Sequence, residues 1–94
     1  MPALSDAEIQ RRLPQTSGWR LQGGVIQATF KFADFKQAMT FVNRVADAAE
    51  EAQHHPDIDI RYNTVQLGLS THDEGGITDK DFGLATRINQ ISQM

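Results

Sequence analysis

Hydrophobic residues recur along this chain at two spacings, and the switches between them mark out its elements. Ile26, Ala28, Phe30 and Phe32 alternate with Gln27, Thr29 and Lys31, the two-residue period of a strand with one covered face. A shorter segment, residues 19–22, precedes it across Gly23-Gly24, and the pair of glycines predicts a hairpin. From Phe35 the period lengthens, with Phe35, Ala38, Met39, Val42, Val45, Ala46 and Ala49 at three- and four-residue steps. That is a helix with an apolar stripe, capped by Asp34 with Gln37 at the third helical position. Pro56 stops it, because the residue before a proline is pushed out of the α region. The predicted helix runs from Asp34 to His54, with His55 turned extended and both histidines at a hinge. Alternation then returns: Ile58, Ile60 and Tyr62 against Asp57, Asp59 and Arg61, followed by Val65, Leu67, Leu69 and Thr71 up to His72. A second hairpin is predicted, turning at Asn63-Thr64, with Tyr62 packed on the Ile58-Ile60 face and its hydroxyl at an edge. Ser5 and Glu8 form a capping box for a short first helix carrying Ile9 and Leu13 until Pro14. Thr78 and Asp81 form another, opening a helix with Phe82, Leu84, Ala85, Ile88 and Ile91.

The order α-β-β-α-β-β-α predicts an α+β fold, a four-stranded antiparallel sheet covered on one face by helices. No linker or low-complexity tract divides it, so residues 1–94 are expected to form a single domain. A chain of 94 residues has little stability to spare, and oligomerisation would help. Nine basic against twelve acidic residues, with Arg11-Arg12 the longest basic run, argue against nucleic-acid binding. The absence of cysteine excludes disulfides, thiolate zinc and a catalytic thiol, and fits a cytoplasmic protein. The first residues lack a basic, apolar leader, and nothing approaches the roughly eighteen apolar residues of a membrane span. No membrane partner is expected.

The chemistry is expected where all three histidines gather, His54 and His55 before Pro56 and His72 after Ser70-Thr71. Imidazole is the side chain that gives or takes a proton near neutrality. His54 is expected at the helix end, where carbonyl dipoles favour an imidazolium, with Glu50 one turn before it, either to orient that ring or simply solvated. His72 closes the second hairpin, so His54 and His72 are expected to meet across a cleft between helix end and strand end. Three imidazoles with an open fourth position also describe catalytic zinc. Adjacent histidines point about 100° apart on a helix and to opposite faces of a strand, which makes them poor chelators of one ion. No metal site is therefore expected.

Glu50, His54-His55-Pro56, Tyr62, His72 and Asp81, at these spacings, together with Tyr62-Asn63-Thr64-Val65, Leu69-Ser70-Thr71-His72 and the early Gly18-Trp19, resemble the pterin-4a-carbinolamine dehydratase family over essentially the whole chain. The resemblance implies dehydration of a 4a-hydroxytetrahydropterin, the product left by a pterin-dependent aromatic amino-acid hydroxylase, to the quinonoid dihydropterin, with no cofactor because the pterin is the substrate. It implies His54 and His72 as general acid/base residues, and His55 as a residue that holds the pterin and assists proton transfer. A homodimer or homotetramer, and functional coupling to an aromatic amino-acid hydroxylase, are also implied.

Ser70 and Thr71 are candidates to hydrogen-bond the pterin's amide edge. Asp81 reads both as a helix-start cap and as an indirect shaper of the site, and Trp19 as either core or cleft wall. The competing function is a non-catalytic dimerisation module of the transcriptional-coactivator kind, since relatives of the family serve that role and one fold carries both jobs.

Overall fold

The computed structural model describes residues 2–94. It comprises α1 (Asp6–Arg12), β1 (Arg20–Gln22), β2 (Val25–Lys31), α2 (Phe35–Ala52), β3 (Asp57–Arg61), β4 (Thr64–Leu69) and α3 (Asp79–Ser92). The strands form one antiparallel sheet in the order β1-β2-β4-β3. Three helices and an open four-stranded sheet make the α+β architecture expected of the sequence. Each alternating run became a strand, with register Ile26↔Leu69, Ala28↔Leu67 and Phe30↔Val65 between β2 and β4. Residues directly opposite in register share a face, so these six point together toward the helices. The opposite face carries Gln27, Thr29, Lys31, Gln66, Asp57, Asp59 and Arg61 and is left open to solvent, with only Gln27 among them half-buried.

The helices supply the other half of the core. Ala38, Phe41, Val42, Val45, Ala48 and Ala49 of α2 and Leu84, Ala85, Ile88 and Ile91 of α3 are buried with Ile26, Val65, Leu67 and Leu69. Trp19 is core: it is 5% exposed, lies edge-on to Phe30 at 6.3 Å and donates its indole N–H to Asn89 at 2.9 Å. Asp34 caps α2 through the Gln37 N–H at 2.8 Å. Gly23 and Gly24 both adopt positive φ, 61° and 78°, which lets the β1–β2 hairpin turn in two residues.

Four local expectations are corrected. The second hairpin turns at Tyr62-Asn63, not Asn63-Thr64, because Thr64 already pairs with Arg61 and Lys31. Tyr62 takes φ 51° there and is 65% exposed instead of packed, and Asn63 ties the turn to β2 through the Phe32 carbonyl at 2.9 Å. At the N-terminus only half of the capping box forms. Ser5 accepts from the Glu8 N–H at 3.2 Å, but the Glu8 carboxylate is claimed by Arg11 at 3.0 Å, whose hydrogen bonds hold its pKa below the usual carboxylate value. The chain continues past α1 as a 3-10 turn, Leu13–Gln15, with Pro14 in its first positions. Finally, α2 stops at Ala52 rather than His54.

Candidate active site

The end of α2 decides where the adjacent histidines go. Gln53 adopts the left-handed conformation, φ 51° and ψ 42°. Its N–H bonds the Glu50 carbonyl at 3.2 Å, and the His54 N–H bonds the Ala49 carbonyl at 3.1 Å. This crossed pair of bonds is a Schellman motif, normally built on glycine, and it satisfies carbonyls that the helix end would leave bare. The reversal lifts His54 off the helix surface before Pro56 sends the chain into β3. His54 therefore does not lie one turn beyond Glu50 on a common face, and of the two readings of Glu50 the solvated one holds, its side chain being 77% exposed.

Two separate couples form instead. His54 turns inward, its Nε2 2.6 Å from Asp81 Oδ1 with side chains 11% and 0% exposed. His55 turns outward, its Nε2 2.6 Å from Glu50 Oε2 with side chains 64% and 77% exposed. Asp81 is the third helical residue of α3 and reaches back to the Thr78 N–H at 2.8 Å, completing a capping box. The same carboxylate accepts the Thr71 hydroxyl at 2.9 Å. Thr71 and Thr78 hydroxyls meet at 2.9 Å. Asp81 thus caps α3 and, as the partner of His54, also shapes the site.

His72 opens a 3-10 turn, His72–Glu74, and is exposed. The turn is closed by Thr71 and Gly76, whose backbones exchange bonds of 2.8 and 3.3 Å. His72 is the chain neighbour of Thr71, which bonds Asp81, which bonds His54, so both histidines are presented from one end of the sheet. Ser70 is half-buried beside them. Tyr62 lies at the opposite end of the β3–β4 hairpin, since Asp57 pairs with Gly68 near the histidines and Arg61 with Thr64 near the turn. Among the described residues no three His, Asp or Glu side chains gather as a metal-binding group.

The residue the sequence reading missed is Thr78, fully buried and joined to Asp81 by its backbone and to Thr71 by its hydroxyl. Its capping-box spacing was visible, but its link to the histidines depends on Thr71 and His54 arriving from other elements.

The chain matches the family described as pterin 4 alpha carbinolamine dehydratase over residues 2–91. A protein from Herpetosiphon aurantiacus provisionally named for that enzyme is 58% identical over 91 residues, covering 97% of this chain and 95% of its own. A protein from Chloroflexus aurantiacus with the same provisional name is 55% identical over 91 residues, covering 97% and 98%. The crystal structure of a transcriptional coactivator/pterin dehydratase from Brucella melitensis superposes with TM-score 0.91 at 36% identity, covering 96% of this chain and 98% of that one. A pterin dehydratase-like protein described as a RuBisCO assembly factor in the alpha-carboxysome shares the fold, with TM-score 0.69 at 24% identity over 80% of this chain and 89% of that one. With the family pattern matched across the chain and relatives above half identity along nearly its full length, the chain belongs to the pterin-4-alpha-carbinolamine dehydratase family.

Proposed function

We propose that the protein dehydrates a 4a-hydroxytetrahydropterin to the quinonoid dihydropterin and water by histidine general acid/base catalysis. The C4a–O bond breaks as the hydroxyl takes a proton from an acid and leaves as water. The N5 lone pair becomes the C4a–N5 double bond, and the N5 proton passes to a base. One proton enters and one leaves, no electrons are exchanged with an outside reagent, and neither metal nor organic cofactor takes part. His54 and His72 are the proposed acid and base, with His55 and Ser70 at the pterin. In this reading His54 donates its Nε2–H to Asp81, leaving Nδ1 to exchange a proton with substrate. A buried carboxylate that fixes one imidazole nitrogen while the other works is a recurrent arrangement in acid/base catalysis. The observation that carries the proposal is the 2.6 Å contact between His54 and fully buried Asp81, in a chain of this family.

The same reading sets the enzyme in the cytoplasm, recycling the pterin of an aromatic amino-acid hydroxylase, and assembled as a homodimer or homotetramer. β3 is a free sheet edge, and its Ile58 faces the helix side but is 38% exposed. A second β3 pairing antiparallel along this edge would cover Ile58 and satisfy its unpaired backbone groups.

The direct test follows stopped-flow absorbance as 4a-hydroxytetrahydropterin, generated in situ by an aromatic hydroxylase, decays with wild type, His54→Ala and His72→Ala, with and without a chelator. Acceleration that survives the chelator and is lost in either variant is the expected result. No acceleration over spontaneous decay sinks the enzymatic reading. It would favour the interaction-module reading, which the coactivator half of the Brucella melitensis protein's name supports and which predicts partner binding unaffected by replacing all three histidines.

A further inference from the structure

We propose that α1 and the residues just before it form a strap that positions the His54–Asp81 couple, with Leu4 as the positioning residue through which it acts. The inference rests on the dehydratase reading for its kinetic consequence and on hydrogen bonds for its substance. The link runs through one peptide group. The Leu4 N–H donates to the Ile77 carbonyl at 2.7 Å, and the N–H at the other side of that same peptide, which belongs to Thr78, donates to Asp81 Oδ2 at 2.8 Å. Asp81 Oδ1 holds His54 Nε2 at 2.6 Å. A peptide whose carbonyl is engaged is a better donor at its N–H, because hydrogen bonds in series polarise one another. The path from Leu4 through the Ile77–Thr78 peptide and Asp81 to the imidazole is therefore unbroken.

Local sequence explains how Leu4 comes to be there. Leu4, Ser5 and Ile9 stand just before the cap, at the cap and at the fourth helical position of α1, and apolar residues at the first and last of these places form a staple that fixes the angle at which a chain enters its helix. Ile9 is buried and Leu4 packs against the same core. The far end of α1 is fastened as well, since the Arg12 guanidinium bonds the Asp79 carboxylate and lies 5.8 Å over the Phe82 ring. The strap thus grips the chain on either side of Thr78, at Ile77 through Leu4 and at Asp79 through Arg12. The two grips are unequal. Arg12 and Asp79 are both partly exposed, and an ion pair in that setting contributes little. Ile77 is 2% exposed and Thr78 fully buried, so an Ile77 carbonyl deprived of Leu4 has no ready replacement from water.

The test compares Leu4→Pro, which keeps an apolar side chain but has no N–H to give, with Leu4→Ala, which keeps the N–H and shortens the side chain. In Leu4→Pro the Thr78 amide is expected to exchange with solvent about 10-fold faster, while the amides of Val65 and Leu67 in β4 stay within about 3-fold of wild type. Long-range proton–nitrogen spectra are expected to show the His54 imidazole displaced and that of His55, bonded to Glu50, unmoved. Turnover is expected to fall about 10-fold in kcat with KM within about 3-fold, the split left by lost positioning rather than lost binding. Leu4→Ala is expected to leave the His54 signal in place and kcat within about 3-fold of wild type. An unmoved His54 signal or unchanged kcat in Leu4→Pro would overturn the proposal, and so would an equal displacement in Leu4→Ala, which would assign the effect to packing. Should Leu4→Pro not fold, exchange in the wild type decides: the Leu4 and Thr78 amides are expected to open together, with protection within about 10-fold of each other, and a larger gap overturns the proposal. If the wild type proves not to dehydrate the pterin at all, the dehydratase reading fails on its own, and the exchange rates and imidazole spectra still decide the part played by Leu4.

Discussion

His54 and His55 are consecutive, and each meets a carboxylate oxygen at 2.6 Å, yet the two couples are opposites in setting. Asp81 is sealed in the interior and shared with Thr71 and Thr78, whereas Glu50 stands in solvent on the last turn of α2, with its side chain 77% exposed. Equal distance does not mean equal worth. An exposed pair gains little over hydration and spends side-chain freedom to form, so such pairs contribute about 0 to 1 kcal/mol. A buried carboxylate has no water to fall back on and depends on every donor it has, so disturbing it exposes the full penalty of an unpaired group. The inner couple is therefore built to hold one imidazole in one orientation, and the outer couple leaves the neighbouring ring free to move toward a ligand.

The sharpest way to break this comparison is Asp81→Asn. If the amide nitrogen faces the donors from Thr71 and Thr78, donor meets donor; if it faces His54, the imidazole must turn Nε2 into an acceptor and carry its proton on Nδ1, the opposite of the tautomer proposed for catalysis. A loss of about 2 to 4 kcal/mol in stability is expected, measurable by urea denaturation, together with a fall in kcat of about 10²-fold or more. A variant as active and as stable as wild type would mean that burial confers no special role on the inner couple.

How far the sequence reached follows from the range of each interaction. The strands, the caps Asp34 and Thr78, and the helix stripes are set by neighbours a few residues away, and their spacing announced them. Tyr62 continued the Ile58-Ile60 alternation in sequence, but nothing in that pattern marks the residue at which the chain enters the left-handed region, so the turn was misplaced by one and the ring assigned to the core. The choice left open for Glu50, between orienting His54 and lying solvated, turns on a similar point. The helical spacing of four is sound only while the helix lasts, and Gln53 ends it without the glycine that usually signals such a reversal. The partnership of His54 with Asp81 joins residues 27 apart from different elements. Asp81 was legible as a cap and as an indirect shaper of the site, but not as the partner of His54.

A smaller effect sharpens the outer couple. Glu50→Gln keeps a hydrogen-bond acceptor beside His55 and removes only the charge. Stability is expected to change by less than about 1 kcal/mol, and turnover by less than about 3-fold. A loss comparable with that of Asp81→Asn would show that exposure misjudges Glu50 and that its charge acts on the bound pterin. On the free edge of β3, Ile58→Lys is expected to shift the protein to smaller species in light scattering after gel filtration, with the monomer's fold retained by circular dichroism. An unchanged mass would remove β3 from the assembly.

The smallest expected effect concerns the hinge that separates the two couples. Gln53 holds a left-handed conformation that costs a residue with a Cβ about 1 to 2 kcal/mol, while glycine in its place costs about 0.5 to 1 kcal/mol of extra unfolded-state freedom. Gln53→Gly should therefore be neutral or stabilising by no more than about 1.5 kcal/mol, and His54 should stay on Asp81 because the bonds to Ala49 and Glu50 are made by backbone. Gln53→Val meets the same geometry with a β-branched side chain, and its cost should appear as lower thermal stability. If Gln53→Val is no less stable than Gln53→Gly, the reversal is not fixed by local backbone preference, and the separation of His54 from His55 is imposed instead by the pull of Asp81 from α3.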